Sequence, residues 1–127
     1  MYSFCASVKS NVNYLQVFNK KLMDMISEVI TDENLLFEIR LILNELIGNG
    51  VIHGNCCDET KIVSVSVHIS DTCFRVCVKD QGDGITCAGP IVRRSSDLMG
   101  GRGLALVRSC VDEMEACYNR ITCVKYL

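Results

Sequence analysis

Apolar residues recur at helical spacing through the first half of the chain and predict two helices there. Residues 2–8 come before them and are typical of a strand. The first helix is predicted over residues 11–30. The second begins after Thr31 or Asp32, because either side-chain oxygen can cap a first helical turn, and it ends near His53.

The second half of the chain changes to the alternation that is typical of strands. Residues 61–79 alternate β-branched and polar side chains around a polar centre, which predicts a hairpin. Residues 82–101 hold most of the glycines and the only proline, so they predict a long loop. A helix over 103–113 and two short strands over 114–126 follow.

This order of elements predicts an α+β two-layer sandwich with helices on one face of a mixed, largely antiparallel sheet. A chain of 127 residues fits one domain, so we assign residues 1–127 to a single domain. Long loops are uncommon in compact domains unless they serve a function, which makes residues 85–101 a candidate lid over an active site.

Composition limits where the protein acts and what it binds. The net charge of -2 offers no general attraction to nucleic acid, so any anion site must be local. No apolar run approaches the roughly 20 residues that span a bilayer, and the N-terminus does not resemble a secretory signal. We therefore expect a cytoplasmic protein that binds neither membrane nor nucleic acid directly.

The nine cysteines are the unusual feature of the composition. Their number is odd, several fall in predicted strands or helices, and no C-x-x-C pair occurs, so neither a disulfide framework nor a cysteine-bound metal is indicated. We interpret them as reduced residues of the hydrophobic core.

The second predicted helix carries Glu45, Asn49 and His53 at successive i, i+4 positions, so the three side chains share one stripe of its surface. Carboxylate and carboxamide oxygens suit magnesium, which prefers oxygen ligands, and Asn49 is the natural ligand. The alternative is that Glu45 and Asn49 are solvated residues at the edge of the helix and that His53 caps it.

Two glycine-containing segments follow. In the first, Asp80 precedes Gly82 and Gly84, and its carboxylate could accept a hydrogen bond from an adenine amino group; the alternative is an ordinary tight turn. In the second, the run GGRGL ending at Leu104 precedes a helix, whose free N–H groups and the charge of Arg102 could receive a phosphate. The alternative there is a flexible loop, because the spacing is not that of a Walker A motif.

Taken together, these segments resemble the nucleotide-binding motifs of the histidine-kinase-like ATPase superfamily. The sequence ELIGNGVIHG from Glu45 resembles its N box, DQGDG from Asp80 its G1 box, and GRGL from Gly101 its G2 box, all in the family's order. The small size, the His-Gly end of the N box and the sequence GRGLALVRSCVDEME resemble the bacterial anti-sigma-factor serine kinases. The turn at Asn119 lacks the glycine usual there, which we expect to affect the edge of the fold and not the pocket.

The resemblance implies a role for each motif. Glu45 would be the general base that activates an attacking hydroxyl, and Asn49 would hold Mg²⁺. Asp80 and its glycines would hold the adenine of ATP, and Gly101 and Gly103 would let the lid close. Arg93, Arg94 and Arg102 are the lid's candidate cations, or else a solvated basic cluster. The implied nucleotide-binding set is Asn49, His53, Asp80, Gly82, Gly84, Ile85, Arg93, Arg94, Gly101, Arg102, Gly103 and Leu104.

The leading functional hypothesis is an ATP-dependent protein serine/threonine kinase that phosphorylates an anti-anti-sigma factor and otherwise sequesters a sigma factor. The resemblance also implies a homodimer formed through exposed sheet surface. The alternative is a nucleotide-gated binding module without kinase activity. A sensor-kinase catalytic domain would need a phosphoacceptor histidine in a dimerisation helix, but His53 lies in the N box and His68 in a predicted strand. A gyrase-like ATPase would need a transducer domain.

Overall fold

The computed structural model describes residues 1–82 and 102–127. Their sheet has five strands in the order β1-β2-β3-β5-β4, and each neighbouring pair is antiparallel. The prediction of a largely antiparallel sheet is confirmed, and no parallel pair occurs among these residues. The strands are β1 (Tyr2–Lys9), β2 (Ile62–Ile69), β3 (Cys73–Lys79), β4 (Glu113–Cys117) and β5 (Arg120–Tyr126).

The two predicted helices of the first half are present, with different ends. Asp32, not Thr31, caps the second helix, because its side chain accepts a hydrogen bond from the Leu35 N–H at 3.1 Å. That helix then continues into a π-helical turn, Gly50–Gly54, in place of a simple end near His53. The helices are α1 (Leu15–Ser27, after a 3-10 turn at Val12–Tyr14), α2 (Glu33–Asn49) and α3 (Arg102–Cys110).

The hydrophobic core lies between the helices and one face of the sheet. Alternation along β2 and β3 turns every second side chain toward α2, whose own apolar positions recur every three or four residues. This confirms the predicted two-layer arrangement. Complete burial of one such side chain contributes about 1.5–3 kcal/mol to folding. The fully buried members include Ile39, Ile42, Leu43, Ile47, Val63, Val65, Phe74 and Val76.

The opposite face of the sheet is polar and open. The interpretation of the cysteines as core residues is wrong, because most of the described cysteines lie on this face or in a loop. Among the described residues every cysteine is a free thiol, but only Cys123 is buried, and burial raises its pKa to about 12. Cys5 and Cys117 are exposed on the open face, and Cys56 and Cys57 are exposed in the loop after the π-helical turn.

The predicted lid, residues 85–101, lies outside the described residues. Within the part of the chain that the structure describes, none of the helices combines the length and apolar character that crossing a membrane requires.

Candidate functional site

The N-box side chains project from the C-terminal half of α2. Glu45 and Asn49 are half-buried there, four residues apart on one side of the helix. His53 is exposed and lies in the π-helical turn, which closes with a hydrogen bond from Asn55 N–H to Gly50 C=O at 2.8 Å. His53 therefore follows Asn49 by four residues, in a segment whose backbone bonding is i→i+5 and not the i→i+4 bonding of α2.

Asp80 follows β3 and presents a half-buried carboxyl group at the end of α2. Its Oδ1 accepts a hydrogen bond from the Gly82 N–H at 2.9 Å, and among the described residues none donates to Oδ2. Burial raises the pKa of Asp80, although the Gly82 bond and the charge of Lys61 oppose this shift. The site therefore offers an acceptor oxygen in a poorly solvated position.

Glycines allow the π-helical turn to pack directly against Asp80. A Cβ atom on Gly54 would collide with the Asp80 carboxyl group, and one on Gly82 would overlap the Gly54 carbonyl. A Cβ on Gly50 would lie only 3.1 Å from the Val63 side chain. Backbone approaches as close as those at Gly54 and Gly82 are open to glycine alone, so these two glycines are required for the contact between the N-box and G1-box segments.

The other end of the site lies where α2 meets the start of α3. A Cβ atom on Gly103 would collide with the Glu45 carboxylate, so this carboxylate lies directly against the first turn of α3. The backbone N–H groups of a first helical turn have no partners within the helix and favour anions. The Leu104 side chain is part of the core, so this residue can contact a nucleotide only through its backbone.

Two asparagines that the sequence analysis did not include in the site hold the Asp80 segment. Asn119 was expected to concern the edge of the fold and not the pocket, and its side chain donates to the Asp80 C=O at 2.6 Å, so it contacts the backbone of a candidate site residue. The signal in the sequence that could have identified Asn119 was the absence of the usual glycine from the β4–β5 turn. Asn55 is buried and accepts a hydrogen bond from the Gln81 N–H, and nothing in the sequence pattern marked it.

Of the remaining residues of the expected site, only Arg102 belongs to the part of the chain that the structure describes. Gly84, Ile85, Arg93, Arg94 and Gly101 lie outside the described residues. Arg102 begins α3. Their expected contacts with nucleotide stay predictions.

The described residues fit a nucleotide with its magnesium ion. The Asp80 carboxyl group fits the amino group of adenine, because glycines border it and no donor among the described residues binds its Oδ2. Asn49 and Glu45 supply the oxygen atoms that Mg²⁺ prefers. Within the described residues no group of three or more His, Cys, Asp or Glu residues could hold a metal ion by itself.

Comparison with known proteins supports this interpretation of the motifs. The profile of the histidine kinase-like ATPase domain family matches residues 8–125. The anti-sigma F factor of Geobacillus stearothermophilus is 34% identical over 89 residues, which cover 66% of this chain and 60% of the relative.

Two other relatives carry the same description. The anti-sigma F factor of Geobacillus kaustophilus (strain HTA426) is 32% identical over 84 residues, 62% of this chain and 58% of the relative. That of Clostridium perfringens (strain SM101 / Type A) is 28% identical over 85 residues, 63% of this chain and 61% of the relative.

The resemblance stated from the motifs is therefore confirmed at the level of the family. The matched part of the chain spans about three fifths of the length of these curated relatives. The family match, in contrast, extends over nearly the whole chain, from β1 to β5. The chain belongs to the histidine kinase-like ATPase domain family.

Proposed function

We propose that this domain binds Mg-ATP, transfers the terminal phosphoryl group to a serine of an anti-anti-sigma protein, and sequesters a sigma factor in the cytoplasm when that protein is unavailable. One observation carries the proposal. Glu45 of α2 contacts the start of α3, and Gly54 of the π-helical turn that continues α2 contacts Asp80 and Gly82, so described parts of all three motifs border one continuous helical segment.

The adenine end of the proposed site is the Asp80 segment. The Asp80 carboxylate would accept a hydrogen bond from the adenine amino group, and the glycines at positions 54 and 82 leave room for the backbone to lie close to the ring. Guanine carries an oxygen where adenine carries its amino group, so a carboxylate at this position would favour ATP over GTP.

The phosphate end is the space between Glu45, Asn49 and the start of α3. Backbone N–H groups of the first turn of α3 would bind phosphate oxygens. Magnesium, when bound through Asn49, supplies neutralisation of the phosphate charge. Glu45 would accept the proton of the attacking serine hydroxyl, and its position against Gly103 keeps the base close to the bound phosphates.

The sigma-factor half of the proposal is supported by the shared description of the relatives, each an anti-sigma F factor. The rival function is a nucleotide-gated binding module that binds a regulatory protein without phosphorylating it. Glu45 favours the kinase, because a module that only binds nucleotide has no need of a carboxylate beside the phosphates.

The test is transfer of phosphate from labelled ATP to a cognate anti-anti-sigma protein, with mass spectrometry to locate the modified serine. Glu45→Gln should keep ATP binding and lower the transfer rate by roughly 10²–10⁴-fold, the usual contribution of a general base. Glu59→Gln, a change to an exposed glutamate of the loop before β2, is the matched control and should leave the rate unchanged. Undiminished transfer by Glu45→Gln would remove Glu45 from the mechanism, and no transfer by the wild type would favour the binding module.

We also propose that two copies pair through the open face of the sheet. Arg75 and Arg120 are exposed on it beside Glu113 and Glu115, and the four side chains border a shallow cavity of about 430 Å³. Among the described residues none of these four charges forms an ion pair. A second copy, turned about a two-fold axis, would bring acidic β4 onto the basic centre of its partner.

A further inference from the structure

We infer that Asn55 and Asn119 are positioning residues for the adenine-binding carboxylate: together they fix both peptide groups that flank Asp80. The inference rests on the proposed binding of ATP and adds to it two residues that do not touch the nucleotide. Their effect would be exerted through the place and orientation of the Asp80 side chain.

Asn119 holds Asp80 from the side of the β4–β5 turn. The Asp80 N–H donates to the Asn119 backbone oxygen at 2.9 Å, and the Asn119 side-chain Nδ2 donates to the Asp80 C=O at 2.6 Å. Residues 79 and 120 are the last strand pair of β3 and β5, so these two bonds lie just beyond the regular ladder. A glycine at position 119 would keep the first bond and lose the second.

Asn55 holds the Asp80–Gln81 peptide group, whose C=O the Asn119 side chain binds, from the opposite side. Its Oδ1 accepts from the Gln81 N–H at 2.7 Å, while its Nδ2 donates to Ser10 Oγ at 2.8 Å and to the Ile62 C=O at 3.0 Å. Ser10 in turn donates from Oγ to the Lys61 C=O at 2.8 Å. The segment after Asp80 is thereby tied to the end of β1 and the start of β2.

The free-energy cost of burying the polar side chains of Asn55 and Ser10 indicates that they have a role beyond packing. Asn55 is 1% exposed and Ser10 is fully buried, and they are the buried polar residues of the described chain. A buried amide is costly unless it is hydrogen-bonded, and an apolar side chain would avoid that cost altogether. What an apolar residue could not supply is the acceptor for the Gln81 N–H.

The bonds converge on the segment that holds the Asp80 carboxylate. The Gln81 side chain adds a further anchor, because its Oε1 accepts from the Ile62 N–H at 2.7 Å. The carboxylate itself is fixed by the Gly82 N–H. Since hydrogen bonds weaken steeply as their angle departs from linear, displacement of this segment would weaken adenine recognition without removing the carboxylate.

Asn55→Ala and Ser10→Ala form a matched pair that separates positioning from stability. Both changes open the same buried network, but only Asn55→Ala removes the acceptor of the Gln81 N–H. Calorimetry with Mg-ATP, far below both melting temperatures, should give an affinity roughly 3- to 10-fold weaker for Asn55→Ala than for Ser10→Ala, the usual effect of one hydrogen bond. Equal affinities in the two variants would overturn the inference for Asn55.

Asn119→Ala removes one donor at a half-buried position, and Arg120→Ala is its exposed neighbouring control. The preference for ATP over GTP should fall in Asn119→Ala and stay at the wild-type value in Arg120→Ala. A lower melting temperature in Asn119→Ala with an unchanged nucleotide preference would mean that Asn119 only stabilises the fold.

Amide hydrogen exchange of the nucleotide-free protein tests the inference without ATP. The Gly82 amide reports on the carboxylate, because it donates to Asp80 Oδ1. Its exchange should be faster in Asn55→Ala than in Ser10→Ala, and unchanged exchange would overturn the inference even if ATP binds. Failure of the wild-type protein to bind ATP is a different result, which would refute the proposed function.

Discussion

At the scale of single residues, Asp80 combines its proposed role in adenine binding with a cost to stability. Its carboxyl group is half-buried, and burial raises its pKa. A group whose pKa is raised by folding stabilises the protein fully below its unfolded pKa, and that contribution is lost as the pH rises through the folded pKa. The ionised carboxylate needed for adenine therefore lowers the free energy of unfolding at neutral pH.

Asp80→Asn should consequently stabilise the nucleotide-free protein while it weakens ATP binding. The new side chain keeps an oxygen for the Gly82 N–H, and it carries no charge to desolvate. We expect a gain below about 1 kcal/mol at pH 7, because solvent screens a half-exposed group, and the gain should vanish below the ordinary aspartate pKa of 3.8. Urea unfolding at several pH values measures it.

Asp58→Asn is a control for which we expect the opposite change in the free energy of unfolding. Hydrogen bonds from the Thr60 side chain and backbone lower the pKa of the exposed Asp58, so its contribution is present at neutral pH and lost as the pH falls through that lowered pKa. Asp58→Asn should therefore reduce stability at pH 7. A reduction of the same kind in Asp80→Asn would contradict the account of Asp80.

At the scale of elements, α2 is both the central core helix and the wall of the site. Its buried face packs on the sheet, and its C-terminal end together with the π-helical turn that follows carries the N box. Two glycines of the N box, Gly48 in α2 and Gly50 at the start of the π-helical turn, differ in their surroundings. A Cβ atom on Gly48 would meet nothing within 4 Å, whereas one on Gly50 would lie 3.1 Å and 3.3 Å from the two Val63 methyl groups.

Substitution of these two glycines by alanine should act in opposite directions. Gly48→Ala should stabilise the nucleotide-free protein by roughly 0.5–1 kcal/mol, because alanine loses less conformational freedom inside a helix. Gly50→Ala gains the same helix propensity, but its Cβ atom pushes the helical segment away from Val63. The free energy of unfolding should therefore stay the same or fall. Denaturant unfolding of both variants measures the difference, and equal stabilisation by the two would show that the close approach of α2 to β2 is not required.

The elements also show how much the sequence could establish. The five strands and three helices follow from apolar periodicity, and a single local motif, the Asp32 cap, fixes the start of α2. The π-helical turn packs through Gly54 against Asp80, 26 residues away, and no local pattern contains this contact. Asn55 and Asn119 likewise take their roles from distant partners, so the sequence identified the motif residues but not those that hold them.

At the scale of the whole molecule, the two faces of the sheet differ in packing and in charge. One face packs on the helices and builds the core, and the other exposes a basic centre beside an acidic edge strand, β4. An exposed face with charges of both signs that form no ion pair among residues 1–82 and 102–127 is suited to a second copy of itself.

Charge reversal tests the proposed dimer. Arg75→Glu should weaken self-association, because it places an acidic group where the partner presents acidic β4, while binding of ATP on the other side of the sheet should be preserved. Glu115→Arg in the same chain should restore part of the association. Sedimentation of the wild type, the single variants and the double variant measures this, and a dimer indifferent to Arg75→Glu would place the contact elsewhere.

The central claim is that the motifs bordering α2 form one Mg-ATP site, and calorimetric titration of ATP with and without magnesium tests it most directly. We predict magnesium-dependent binding by the wild type, its loss in both Asn49→Ala and Asp80→Ala, and its retention in Asn44→Ala, which changes an exposed asparagine of the same helix. Absence of binding by the wild type, or undiminished binding by both site variants, would contradict the account.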